Sequence, residues 1–247
     1  MLTEKYLDFV LDEGINPEIG LDAKALDETS ESTFKKYSAL LSERGLSVSF
    51  HAPFVDLAPG SIDPQIQNAT KFRFEQVIRL VSMFHPKTVV CHTGYESLRH
   101  GYMKDQWIEN SIAIWKWFSE QLMSNGTHLM LENVFEAGPE EFIPLFDELR
   151  SQKIGFCLDV GHQKAFSSCS LQKWLEVLGP FLGQLHLHDN NGDWDQHLAM
   201  GQGSVDFEYL FGFLGGMKNR RPLVTLEPHV DSDLWPSLQY LEKKWPW

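Results

Sequence analysis

Six short, largely apolar runs in this chain each close on a histidine or a carboxylate, and that repetition constrains the fold more than any other feature. Leu46–Phe50 leads to His51, Thr88–Cys91 to His92, His128–Leu131 to Glu132, Ile154–Leu158 to Asp159, Gln184–Leu185 to His186 and Leu223–Leu226 to Glu227. His162 follows three positions after Asp159, and Asp195 and His197 stand in a polar loop after the fifth run. Polar groups placed repeatedly at strand ends converge on one rim of a closed parallel sheet, where (β/α) barrels gather their catalytic residues.

Between these runs the periodicity is helical. Phe34, Tyr37, Leu40 and Leu41 repeat at helical spacing within Glu31–Arg44, and Gly45 stops that helix. The same reading gives helices over Thr3–Asp12, Pro64–Phe84, Lys104–Met123 (ended by Gly126), Pro139–Arg150, Leu171–Leu178, Phe207–Met217 and Leu234–Lys244. The strands fall at Pro17–Leu21, Leu46–His51, Thr88–His92, His128–Glu132, Ile154–Asp159, Gln184–His188 and Leu223–Glu227. Strands alternating with helices specify a parallel sheet, here in one domain over residues 1–247. Seven strands are one fewer than a complete barrel has. Either Met1 and Leu2 are the vestige of a first strand, or the barrel is open and its exposed edge needs a covering helix or a second copy, which makes a homodimer an expectation.

A chain of 247 residues fits one barrel better than two domains. It has no apolar stretch of membrane-span length, and Met1–Asp12 lacks the basic-then-apolar layout of a signal peptide, so a cytoplasmic protein is expected. Cys91, Cys157 and Cys169 are odd in number and widely spaced, which suits reduced thiols better than a disulfide framework. The net charge of −13 stays strongly negative when the four carboxylates among the ligand candidates are set aside. A basic face of the kind that grips nucleic acid is missing, and the tight cluster Lys218, Arg220 and Arg221 precedes the last strand, at the end opposite the ligands. The expected partner is a small phosphorylated or sugar-like substrate.

With these residues placed, the chain resembles the xylose isomerase-like TIM-barrel superfamily, and within it the endonuclease IV or AP endonuclease family 2 branch. Gly155-Phe156-Cys157-Leu158-Asp159-Val160-Gly161-His162 is similar to that family's Gly-x-Cys-Leu-Asp-x-x-His element. His51-Ala52-Pro53-Phe54 resembles its His-Gly-Pro-Tyr, His92-Thr93-Gly94 its His-Pro-Gly, and Leu131-Glu132-Asn133 its Leu-Glu-Asn. Asp195-Gln196-His197, followed by Gly201-Gln202-Gly203, is similar to its Asp-Arg-His and Gly-x-Gly pair. The resemblance implies up to three zinc ions, with manganese an alternative at one or more sites. His51, His92 and Glu132 would hold one, Glu132, Asp159, His186 and Glu227 a second, and His162, Asp195 and His197 a third.

Imidazole and carboxylate donors without thiolates suit zinc or manganese in a reactive site. Two readings follow. In the first, ions a few ångströms apart activate water and clamp the oxygens of a phosphoester, most plausibly a small phosphodiester, and Glu132 bridges two of them. In the alternative, which the resemblance to the same superfamily implies, one ion on Glu132, Asp159, His186 and Glu227 serves a sugar or sugar-phosphate isomerase or epimerase, and the two catalytic glutamates exchange a proton with a carbon next to a carbonyl. Five further ligands favour the hydrolase at this level, as does the lack of any arginine between His186 and Arg220 to hold a sugar. Phe54 and Trp194, just past ligands, and His188 and His229, each two residues beyond one, are candidates to touch substrate. His85, His100 and His128 read as capping or surface groups, and Trp107, Trp115 and Trp117 as helix-to-barrel packing.

Overall fold

A computed structural model describes residues 4–217 and 221–247. Met1 and Leu2, and with them the vestigial first strand, lie outside the described residues, as do Lys218 and Arg220 of the basic cluster. The strands are β1 (Glu18–Gly20), β2 (Ser49–His51), β3 (Thr88–His92), β4 (His128–Glu132), β5 (Gly155–Asp159), β6 (Leu182–Leu187) and β7 (Leu223–Leu226). The helices are α1 (Glu4–Glu13), α2 (Ala23–Glu28), α3 (Glu31–Glu43), α4 (Pro64–Phe84), α5 (Ser97–His100), α6 (Lys104–Met123), α7 (Ile143–Glu148), α8 (Val160–Phe166), α9 (Leu171–Leu178), α10 (Phe207–Gly215) and α11 (Leu234–Lys244). The seven strands form one sheet in chain order, the TIM-barrel arrangement expected from the alternation.

Contacts gather the chain into two compact units. The first comprises Met1–Gly94, Tyr102–Leu131 and Glu148–Ile154, and the second Tyr95–Gly101, Glu132–Asp147 and Gly155–Trp247. In the first, β2 pairs in parallel with β1 and with β3, placing His51 beside Val90. Helices α4 and α6 lie together because their apolar faces interlock: Phe74 stacks on Phe118 at 4.5 Å, with Trp115 at 5.5 Å. Trp107 and Trp115 are buried as packing groups, while Trp117 is half-buried beneath the Lys71 ammonium.

In the second unit β5 is buried along its whole length, the pattern of a parallel strand covered on both faces. Its register with β6 shifts once between Phe156 and Cys157 and then sets Asp159 opposite His186, while β6 sets His186 opposite Thr225 of β7. Phe156 lies parallel to Trp174 of α9 and meets Phe142 edge-on, which fixes the outer helices against the strand.

The expected helix Pro139–Arg150 is instead two short 3-10 turns flanking α7: Phe142, Leu145, Phe146 and Leu149 are buried at helical spacing, but Pro144 has no amide hydrogen to donate back to Glu140, so a continuous helix from Pro139 is interrupted there. Strand β6 begins earlier than read and ends at Leu187, so His188 lies just past it. His100 ends α5 buried, its Nδ1 accepting the Glu96 amide, where a polar loop was expected. His85 caps α4 in a left-handed conformation, and His128 opens β4 exposed, both as expected. The three cysteines are free thiols, and no described helix is long and apolar enough to cross a membrane.

Candidate metal centre

In the second unit the site is built on four strand ends, one helix start and one loop. Glu132 ends β4, Asp159 ends β5, His186 lies one residue short of the end of β6, and Glu227 follows β7, its amide still donating to Leu187 O at 3.2 Å. His162 is not on a strand: it is the third residue of α8, and Asp159 caps that helix through Oδ1, which accepts the His162 amide at 2.6 Å. One carboxylate therefore both faces the site and sets the helix that carries the next ligand.

Around His186 the carboxylates close in. Its Nδ1 lies 2.9 Å from Glu227 Oε1, 3.3 Å from Glu132 Oε1 and 4.0 Å from Asp159 Oδ2. Glu132, Asp159 and His186 are buried, whereas Glu227 stays partly open, so this acid-rich group has one accessible side. A second group contains His162, His188, Asp195 and His197, whose ligand atoms all lie within 4.8 Å of one another. His162 Nε2 is 3.4 Å and His197 Nε2 2.9 Å from Asp195 Oδ2, and His188 Nε2 is 3.6 Å from Asp195 Oδ1.

Backbone carbonyls set the imidazole tautomers. His162 Nδ1 donates to Asn133 O at 3.0 Å and His197 Nδ1 to Glu227 O at 2.8 Å, so in each ring Nε2 is the nitrogen that faces Asp195, where it carries a proton to the carboxylate unless a cation takes that proton's place. Asn133 also pairs twice with Asp159, donating to its carbonyl and accepting its amide, both at 2.9 Å. These donors fit divalent cations: oxygen-rich at His186, imidazole-rich at Asp195, and free of thiolate. Asp195 Oδ1 and His188 Nδ1, both in the second group, are buried and hydrogen-bond to no described residue, so that group keeps polar capacity that protein neighbours do not use.

The ionisation states follow from the crowding. Burial works against the charge on Asp159 and is the largest single influence, but the adjacent His162 and His188 outweigh it and hold its pKa to about 2. Asp195 is likewise held well below the usual carboxylate range, with burial opposed by hydrogen bonds and charge from His162 and His197. For His162 and His188 burial again opposes charge most, yet Asp159 and its neighbours win and the ring pKa values rise. His229 goes the other way, lowered by burial and by the charge of His197.

His188, His197 and His229 form a stack, with ring centroids 3.7 and 3.6 Å apart and planes within 7° and 12°. The sequence offered His188 and His229 as substrate contacts, and the structure places both rings on His197, with His229 exposed at the outer end. Gly161 makes the inner end possible, since a Cβ there would stand 1.9 Å from His188 Cε1. Trp194 is 61% exposed beside Asp195.

The loop bearing Asp195 and His197 is tied down by a residue the sequence reading passed over. Asp189, buried just after β6, accepts the amides of Asn190 and Val205 on Oδ1 and of Gly201 and Gly203 on Oδ2, at 2.9 to 3.0 Å. Gly203 must lack a side chain, because a Cβ would meet that carboxylate and the Asn190 carbonyl at 2.4 Å. The Gly201-Gln202-Gly203 element was the available signal. In the first unit, His51 and His92 stand edge to face at 4.9 Å, with the exposed Phe54 ring 4.3 Å from His92.

The family model described as xylose isomerase-like TIM barrel matches residues 16–245. An uncharacterized protein of Methanocaldococcus jannaschii, MJ1311, is 28% identical over 181 residues, which cover 70% of this chain and 61% of that one. The chain spans about three fifths of the length of the curated relatives it matches. Among solved structures, the TTHB071 protein from Thermus thermophilus, soaked with zinc chloride, is 26% identical with a TM-score of 0.80, over 98% of this chain and 93% of that one. A D-tagatose 3-epimerase-like protein is 23% identical, also at 0.80, over 92% and 86%.

Proposed function

We propose, from the premise that the chain belongs to the xylose isomerase-like TIM-barrel family, that it is a metal-dependent isomerase or epimerase of a sugar or sugar phosphate. The observation that carries this reading is the pair of glutamates at His186: Glu132 Oε1 and Glu227 Oε1 both lie within 3.3 Å of one imidazole nitrogen. The epimerase-like neighbour of the same fold supports it and shifts the weight from the hydrolase, which the sequence favoured, to the alternative.

Glu132, Asp159, His186 and Glu227 would hold a divalent cation, which when bound polarises a carbonyl and so acidifies the adjoining carbon. One glutamate takes the proton from that carbon and the other returns a proton, to the opposite face for epimerisation or to the neighbouring carbon for isomerisation. Asp159, ionised down to about pH 2, supplies charge and takes no part in the transfer. No redox partner is required, because the atoms rearrange without net oxidation.

The test is solvent-deuterium exchange. Protein loaded with manganese or zinc and given a panel of ketoses and their phosphates in heavy water should incorporate deuterium at the carbon next to the carbonyl. Glu132→Gln and Glu227→Gln should each lose at least a hundredfold in exchange. Chelator-sensitive cleavage of bis-p-nitrophenyl phosphate, with no exchange into any sugar, would overturn the proposal and restore the hydrolase.

A further inference from the structure

We propose that His188 is a positioning residue for the cation site at His186: its Nε2–H holds both oxygens of Asp159, so that this carboxylate meets the ion in one fixed attitude. The proposal rests on the metal that the isomerase reading requires among Glu132, Asp159, His186 and Glu227, and not on the substrate turned over there.

The contacts of Asp159 divide between its two oxygens. Oδ1 accepts the His162 amide at 2.6 Å and the His188 ring nitrogen at 3.1 Å. Oδ2 lies 3.2 Å from the same ring nitrogen and 4.0 Å from His186 Nδ1. An ionised carboxylate can only accept, so His188 Nε2 is the donor and shares its hydrogen between the two oxygens. One N–H astride both oxygens restrains rotation of the carboxylate, and the amide at the start of α8 claims Oδ1. Oδ2 is then the oxygen left for a cation, on the side of His186. Carboxylates that bind metals are themselves held by hydrogen bonds, and loss of such a partner costs about 10–100-fold in metal affinity.

His188 can act as a fixed donor because its ring is confined. It is 1% exposed and lies just past β6, two residues after His186. One face stacks on His197 at 3.7 Å in a plane 7° away, and His197 is itself anchored through Nδ1 to the Glu227 carbonyl at 2.8 Å. The ring also fills the space beside Gly161, where a Cβ would stand 1.9 Å from Cε1. Because the two stacked rings point their nitrogens along separate planes, they serve different carboxylates: His197 Nε2 meets Asp195 at 2.9 Å, and His188 Nε2 meets Asp159. Asp195 Oδ1, 3.6 Å from His188 Nε2, is beyond hydrogen-bond distance. With Nδ1 bonded to no described residue, Asp159 is the one hydrogen-bond partner of this imidazole among the described residues.

Manganese(II) alone is the probe, with no substrate, so failure of the isomerase chemistry leaves the test intact. Titration of metal-free protein, followed by the paramagnetic resonance of unbound manganese, gives the affinity of the site that Glu227→Gln weakens. His188→Gln keeps a side-chain N–H donor, whereas His188→Met has the same length without one, and its soft sulfur does not suit manganese. The methionine variant should bind manganese there about 10–100-fold more weakly than wild type, and the glutamine variant should lose less than about tenfold. A ring that merely fills space would make the two variants alike. The proposal is overturned if the methionine variant loses less than about tenfold, or if the glutamine variant loses as much as the methionine one. His188→Leu, which also lacks a donor, replaces the methionine variant should that one fail to fold. Wild-type protein without this manganese site would sink the metal reading and the proposal together, whereas wild-type binding with an unaffected methionine variant sinks the proposal alone.

Discussion

Asp189 shows how a residue that binds nothing can govern a site. Four backbone amides end on its buried carboxylate, so they need no other partner, and the loop carrying Asp195 and His197 closes around it. A buried amide left without a partner costs about 1–3 kcal/mol, and the four costs overlap because the loop can relax. Asp189→Ala should therefore lose about 3–5 kcal/mol in urea unfolding, and Asp189→Asn, which keeps one acceptor oxygen, about half as much. Equal unfolding midpoints for wild type and Asp189→Ala would refute this account. The carboxylates and imidazoles that end the strands are legible in sequence because they recur at a fixed place in a repeating unit. Asp189 is not, because its role exists only once residues 12 to 16 positions later have turned back onto it.

At the scale of elements, α8 decides where His162 points. A glycine inside a helix costs about 1 kcal/mol relative to alanine, so Gly161→Ala would stabilise an isolated helix. Here the added Cβ would overlap the His188 imidazole, and the prediction reverses: a loss of about 1–3 kcal/mol in thermal unfolding of the metal-free protein, the usual scale for overpacking a core. An unchanged or raised melting temperature would show that the ring moves aside freely. This helix escaped the sequence reading because seven residues hold too few turns to establish a period, and Val160, Gly161 and His162 look like a continuation of the buried strand. The long helices α4 and α6 were legible to the residue, since each repeats its apolar face over about five turns and ends near a left-handed or glycine stop. Parallel strands β3 and β4 were read to their ends for a related reason, an apolar run terminated by a polar group, His92 or Glu132.

For the whole molecule, the crowded charges make stability depend on pH in a direction set by whether metal is bound. In metal-free protein His162 and His188 have raised pKa values, so what they contribute is fully present below about pH 6.5 and is lost as pH rises through their folded values. Asp159 and Asp195 act at the other end: their contribution is present above about pH 3.8 and is lost as pH falls toward 2. Chelated protein should accordingly be most stable in the mildly acidic window between these limits and should melt at progressively lower temperature from about pH 6 to pH 9. Divalent ions take the place of the imidazole protons, so acid competes with metal and each ion binds more tightly as pH rises. At a ligand concentration of 100 times its dissociation constant, an ion raises stability by about 2.7 kcal/mol. The gap between the melting temperatures of zinc-loaded and chelated protein should therefore widen with pH, as calorimetry at about pH 5, 7 and 9 would read directly. Chelated protein that gains stability over that range would mean that the carboxylates around His162 and His188 do not hold those rings charged, and the electrostatic account of the site would fall with it.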